Sequence, residues 1–175
     1  MLPVLVAVGI ILLFLIVFIA GRPDEFKVVR TATIPAPPAT VFAKVNNLRA
    51  WEVWSPWAKL DPDAKSTYEG PAEGVGAIMR WSGNNKVGAG SMTIVESRPS
   101  ARVGFKLEFL RPFKATNTAE FTFRAEDGQT VVTWTMAGRN NFMGKAFGLL
   151  MNCDDLVGKD FDKGLANLKT VAGGV

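Results

Sequence analysis

The sequence predicts an α+β domain in which one antiparallel sheet of about seven strands is closed on one side by a long C-terminal helix. Three observations predict it. Between Lys65 and Arg139, stretches of strand character alternate with turn signals at short, regular intervals, the pattern of a hairpin meander rather than of strand–helix–strand units. Val103, Phe105, Leu107 and Phe109 alternate with Arg102, Gly104, Lys106 and Glu108, so one face of the sheet is buried. After the strands, Phe147, Leu150, Met151, Leu156, Val157, Phe161, Leu165 and Leu168 recur at three- and four-residue spacing, which makes an amphipathic helix over about Met143 to Val171 to cover that face.

The elements follow in order. Leu2 to Ala20, LPVLVAVGIILLFLIVFIA, carries no charged or strongly polar side chain. As a helix it reaches roughly 28 Å, close to the thickness of a bilayer's hydrocarbon core, and reads as a transmembrane anchor. The alternative is a cleaved signal peptide, against which stand the absence of a basic residue before the run and the bulky Phe18 in Phe18-Ile19-Ala20. Arg22, Lys27 and Arg30 flank its C-terminal end, so the positive-inside bias predicts a single-pass protein with a cytoplasmic domain. The expected organisation is an anchor over 1–21, a joint over 22–25, the domain over 26–171 and a tail over 172–175.

FKVVRTATI (26–34) is rich in β-branched residues and reads as the first strand. Pro37 and Pro38 sit at a helix entry, Val41, Phe42 and Val45 supply its apolar stripe, and Asn46-Asn47 end it. WEVWSPWAKLDP (51–62) allows a turn or two of helix before its prolines interfere. KSTYEG, AIMRWSG, GAGSMTIVES, ARVGFKLEFL, ATNTAEFTFRAE and QTVVTWTMAG are the remaining strands, the last two joined by Asp127-Gly128, a favoured tight turn. Gly144, Gly148, Gly158 and Gly164 are costly in the terminal helix. Either it breaks near Asn152, or the glycines admit close approach of the sheet or of a ligand.

Composition removes several function classes. The chain has no histidine and one cysteine, which excludes Ser-His-Asp and Cys-His nucleophiles, an internal disulfide and multi-cysteine metal sites. No metal and no cofactor is expected. The formal charge is +4 with no run of Lys and Arg, so no nucleic-acid groove is indicated. GVGAIMRWSGN matches no phosphate-loop pattern and reads as a turn into a strand.

IPAPPATVFAKVNNLRAWEVWSPW, YEGPAEGVGAIMRWSGN and KDFDKGLANLK, with the strands between them, resemble the START-like (SRPBCC) superfamily, especially its bacterial polyketide cyclase/dehydrase-like branch. The resemblance covers about residues 26 to 171 and implies the helix-grip fold. Members bind lipids, sterols, polyketides, plant hormones or quinones between helix and sheet, others act on such compounds, and one related group regulates a chaperone ATPase. Fold alone does not choose among these.

Trp51, Trp54 and Trp57 form a lid packed on the core, an aromatic gate over a cavity mouth, or a foot at a membrane interface. Met79, Trp81, Met92, Ile94, Phe105, Phe121, Trp134 and Met136 are candidates for the concave face, with Met143, Phe147 and Met151 facing them from the helix. The proposed ligand-binding set is Trp54, Trp57, Met79, Trp81, Met92, Phe105, Phe121, Trp134, Phe147 and Met151; methionine in particular adapts to flexible apolar molecules. Tyr68, Glu69, Arg80, Glu96 and Glu120 read as surface or structural residues, Asp154 and Asp155 as a solvated helical face, and Cys153 as buried and inert. The expected role is to hold an apolar small molecule or lipid, non-catalytically, close to a membrane. The alternatives are a cyclase/dehydrase-like enzyme using metal-free acid–base chemistry, and a protein-interaction domain with a filled core.

Overall fold

The computed structural model describes residues 1–139, 144–146 and 153–174; the side chains of Leu2, Leu5, Cys153 and Leu156 lie outside the description. Helix α1 spans Leu2–Ala20. Strand β1 (Glu25–Ile34) leads to α2 (Pro38–Asn46), a 3-10 turn (Leu48–Ala50) and α3 (Trp51–Trp54). Six strands follow: β2 (Lys65–Glu69), β3 (Ile78–Ser82), β4 (Ala89–Arg98), β5 (Arg102–Arg111), β6 (Ala115–Glu126) and β7 (Gln129–Arg139). Helix α4 covers Cys153–Gly173. The seven strands form one antiparallel sheet in the order β1-β7-β6-β5-β4-β3-β2, which is the helix-grip arrangement.

Local chemistry accounts for the joints. Pro38 opens α2, where a missing N–H costs no hydrogen bond. Asn47 is extended, and its Oδ1 accepts from the Arg49 N–H at 3.0 Å, capping the 3-10 turn. Asp127 and Gly128 both have positive φ, 49° and 78°, the twist-matched turn that a two-residue hairpin requires.

Most of the described apolar side chains of helix α1 are exposed, Phe14 at 73 %, while Ile19 near its end is buried. Among the described residues no helix is long and apolar enough to cross a membrane. This corrects the expectation of a single-pass anchor, and the predicted cytoplasmic orientation, which rested on that anchor, falls with it.

At Gly158 and Gly164 the helix approaches its neighbours closely, while the predicted break near Asn152 lies outside the described residues. A Cβ at Gly164 would lie 2.8 Å from Trp134 Cζ3 and 3.0 Å from Pro56 Cδ, and one at Gly158 would collide with the Arg30 guanidinium. Arg30 points inward from β1, between Val28 and Ala32. Its Nη1 donates to Asp154 Oδ1 at 3.0 Å and to the Val29 carbonyl at 2.8 Å, while Nε lies 3.4 Å from Asp162 Oδ2. Asp154 is therefore not simply a solvated residue. The arginine fastens the first turns of α4 to the sheet edge and holds the Asp154 carboxyl below its ordinary range.

Candidate ligand-binding face

Strand pairing arranges the inner face of the sheet in rows. Trp134 on β7 stands between Arg30 on β1 and Phe121 on β6, and Phe121 faces Val103 on β5. The next row is Val28, Met136, Ala119, Phe105 and Ile94, all of them buried. The row beyond crosses the whole sheet: Phe26, Gly138, Asn117, Leu107, Met92, Met79 and Tyr68. Here Phe26, Leu107, Met79 and Tyr68 are only half-buried, as are Trp81 and Phe109 at the end of the sheet.

The tryptophan segment seals the first of these rows. Trp54 is fully buried, and its ring contacts Trp51 at a centroid distance of 4.3 Å, Trp134 at 5.9 Å and Phe121 at 6.0 Å. Trp134 in turn stacks on Phe161 of α4, with centroids 3.8 Å apart and planes within 6°. Each indole N–H of the lid has an acceptor: Trp51 donates to the Val45 carbonyl, Trp54 to the Lys44 carbonyl and Trp57 to Asp160 Oδ2, at 3.0 to 3.1 Å. Asn167 of α4 donates to the Trp54 carbonyl at 3.0 Å. Trp51 and Trp54 are thus a packed lid in this structure. Their depth leaves no exposed indole face to serve as a foot.

The predicted site residues divide accordingly. Trp54, Phe105, Phe121 and Trp134 belong to the sealed rows, and Trp57 is half-buried at their margin. Met79, Trp81 and Met92 belong to the less covered end. Phe147 and Met151 lie outside the described residues, as does Met143. Phe26, Leu107, Phe109, Asn117 and Gly138 share that end and were not in the predicted set. The signal for them is plain: stepping by two from Phe105 reaches Leu107 and Phe109, and stepping back by two from Phe121 reaches Ala119 and Asn117.

Two hollows lie at opposite ends of the crossing row. One, of about 510 Å³, is lined by Phe26, Asn117, Gly138 and their neighbours on the same three strands. The other, of about 200 Å³, is lined by Tyr68, Arg49, Leu48 and the Gly70-Pro71-Ala72 turn among others. The Tyr68 hydroxyl donates to Glu52 Oε1 at 2.6 Å, and the Arg49 guanidinium sits 4.3 Å above its ring. Burial, and then the Glu52 carboxylate, raise the Tyr68 pKa above its ordinary value, so the phenol remains neutral.

Every carboxyl whose titration is displaced, among the described residues, is displaced downward by a cation: Asp24 by Lys145, Glu69 by Arg80 and Asp154 by Arg30. Arg80 and Glu69 form an exposed pair at 2.8 Å. Glu96 and Glu120 bracket Arg102, at 3.2 and 2.5 Å. Among the described residues no group of three His, Cys, Asp or Glu side chains converges where a metal would sit.

Residues 25–173 match the family model described as polyketide cyclase / dehydrase and lipid transport. No curated protein matches the chain. Among solved structures, a hypothetical protein of Helicobacter pylori superposes with a TM-score of 0.64 at 11 % identity, covering 87 % of this chain and 90 % of that one. The solution structure of the Aha1 dimer from Colwellia psychrerythraea gives 0.60 at 14 % identity, covering 85 % and 96 %. The di-domain ARO/CYC protein BexL of the BE-7585A biosynthetic pathway gives 0.63 at 16 % identity, covering 88 % of this chain but 52 % of its own. At such identities these structures share the fold alone.

Proposed function

The chain belongs to the polyketide cyclase/dehydrase and lipid transport family, and from that premise we propose that it is a binding domain for an apolar small molecule. The ligand lies on the less covered end of the inner sheet face, against Met79, Trp81, Met92 and Leu107, and touches the margin of the tryptophan lid. One observation carries this reading. Burial along a single apolar face falls from complete at Phe105 and Phe121 to partial at Leu107, Met79 and Trp81, leaving large side chains with surface still to lose to a ligand. Each ligand methylene buried there contributes about 0.8 kcal/mol. Methionines and a tryptophan edge tolerate variation in ligand shape.

Native mass spectrometry of the full chain, after exposure to a lipid extract of the producing cells, tests the proposal. The expected result is a discrete bound species that is lost in Met79→Lys while the sealed rows, followed by tryptophan fluorescence, stay folded. A chain that remains bare, or that carries the same species after the substitution, overturns it.

A further inference from the structure

Arg49 stands at the Tyr68 end of the crossing row, in the 3-10 turn that Asn47 caps. Leu48 beside it is buried, whereas Arg49 itself is exposed. Arginines elsewhere in the chain meet carboxylates: Arg30 meets Asp154, Arg80 meets Glu69 and Arg124 meets Glu126. The Arg49 guanidinium lies instead over the Tyr68 ring, at 4.3 Å. Two carboxylates of this neighbourhood are committed to other donors. Glu52 accepts from the Tyr68 hydroxyl at 2.6 Å, and Glu69 accepts from Arg80 at 2.8 Å. Among the described residues no hydrogen bond or ion pair engages the Arg49 guanidinium.

The hollow of about 200 Å³ is lined by this arginine, by the Gly70-Pro71-Ala72 turn and by Leu48, Ala77 and Ile78 among others. Its turn wall is fixed, because Gly70, at φ 78°, approaches the Gly76 carbonyl so closely that a Cβ there would collide with it. The cation is held as well: stacking on an aromatic face positions a guanidinium and leaves its N–H fork for a planar oxyanion. Tyr68 pairs with Met79 across β2 and β3, so the cation borders the apolar face. We infer that Arg49 binds the carboxylate of an apolar acid whose chain lies along Met79 and Met92, so that the domain selects apolar carboxylates over neutral molecules of equal size. Met92 lies two strands from Tyr68, roughly 10 Å away, so a chain of medium length spans both. The inference rests on the proposed reading of this face as a ligand surface.

The test is a calorimetric titration of the full chain, near neutral pH, with decanoate and with methyl nonanoate, the neutral isomer of its acid. The same pair is titrated into Arg49→Gln, where any difference in how water holds the two compounds cancels from the comparison. Lys114→Gln, which removes one positive charge at the exposed turn between β5 and β6, controls for net charge. The quantity read is the ratio of the ester's dissociation constant to that of decanoate. The expected ratio is at least about tenfold larger for the natural chain than for Arg49→Gln, and unchanged in Lys114→Gln. A ratio that survives Arg49→Gln, or that falls as far in Lys114→Gln, overturns the role of Arg49 and leaves the face a ligand surface. Binding of neither compound to the natural chain overturns both.

Discussion

The sealed and the half-covered rows of the sheet are made from the same strands, by the same alternation, yet they are finished differently. In the sealed rows Trp134, Phe121 and Phe105 meet two tryptophans of the lid and Phe161 of α4, and glycines in the helix bring the backbones together. In the row two residues further along, side chains of similar size retain exposed surface, and an asparagine stands where an apolar residue would pack. An apolar strand face is therefore not one structural statement. What lies opposite each row decides whether it is core or site.

The largest test of this contrast sets Trp134→Ala against Met79→Ala in denaturant unfolding. Removing Trp134 leaves a cavity among stacked rings and costs about 3–5 kcal/mol. Met79→Ala is expected to cost less than that, because part of its side chain already meets solvent. Equal losses would abolish the distinction between the two ends. Next, Gly164→Ala gains about 1 kcal/mol in helix propensity but forces a methyl against Trp134 and Pro56 at 2.8 and 3.0 Å. Overpacking of this kind costs about 1–3 kcal/mol, so the midpoint is expected to fall; a rise would show that α4 can lift from the sealed rows.

Smaller effects sharpen the margins. The Asp154 carboxyl is held low by its hydrogen bond from Arg30, so its contribution is complete above the ordinary carboxylate pKa, about 3.9, and disappears as pH falls through the lower folded value. Hydrogen exchange should quicken in the first turns of α4 across that acid range, and Asp154→Asn should remove the pH dependence. The smallest effect concerns Tyr68, the single tyrosine of the chain. Ultraviolet titration should place its ionisation above the ordinary value near 10, because burial and Glu52 both raise it. The raised value means that its contribution is present below the unfolded pKa and is lost as pH rises through the folded one. Tyr68→Phe costs about 1 kcal/mol or less.

Much of this was legible in the residues, for physical reasons that also set its limits. The strands of β6 and β7 and the Asp127-Gly128 turn follow from period and turn chemistry, and the structure places them where the sequence predicts. The inward direction of Met79 and Trp81, with Arg80 outward, also follows from the period. Alternation reports which side a residue faces but carries no information about what covers it, so Phe105 and Met79 looked equivalent. Arg30 was read as a flanking charge because its partners, Asp154 and Asp162, lie more than a hundred positions away in the chain. Asn117 was overlooked because a search for apolar lining passes over a polar residue in phase with it.

Helix α4 meets the sheet through two notches, at Gly158 and Gly164, into which Arg30 and Trp134 fit. They work as keyways: the helix has one register, and neither sliding nor turning it by a residue leaves both notches facing their keys. One residue inserted between them would swing one notch about 100° from the other. The spacing of the notches is thus a ruler for the fold, and it tolerates changes of side chain more readily than changes of length.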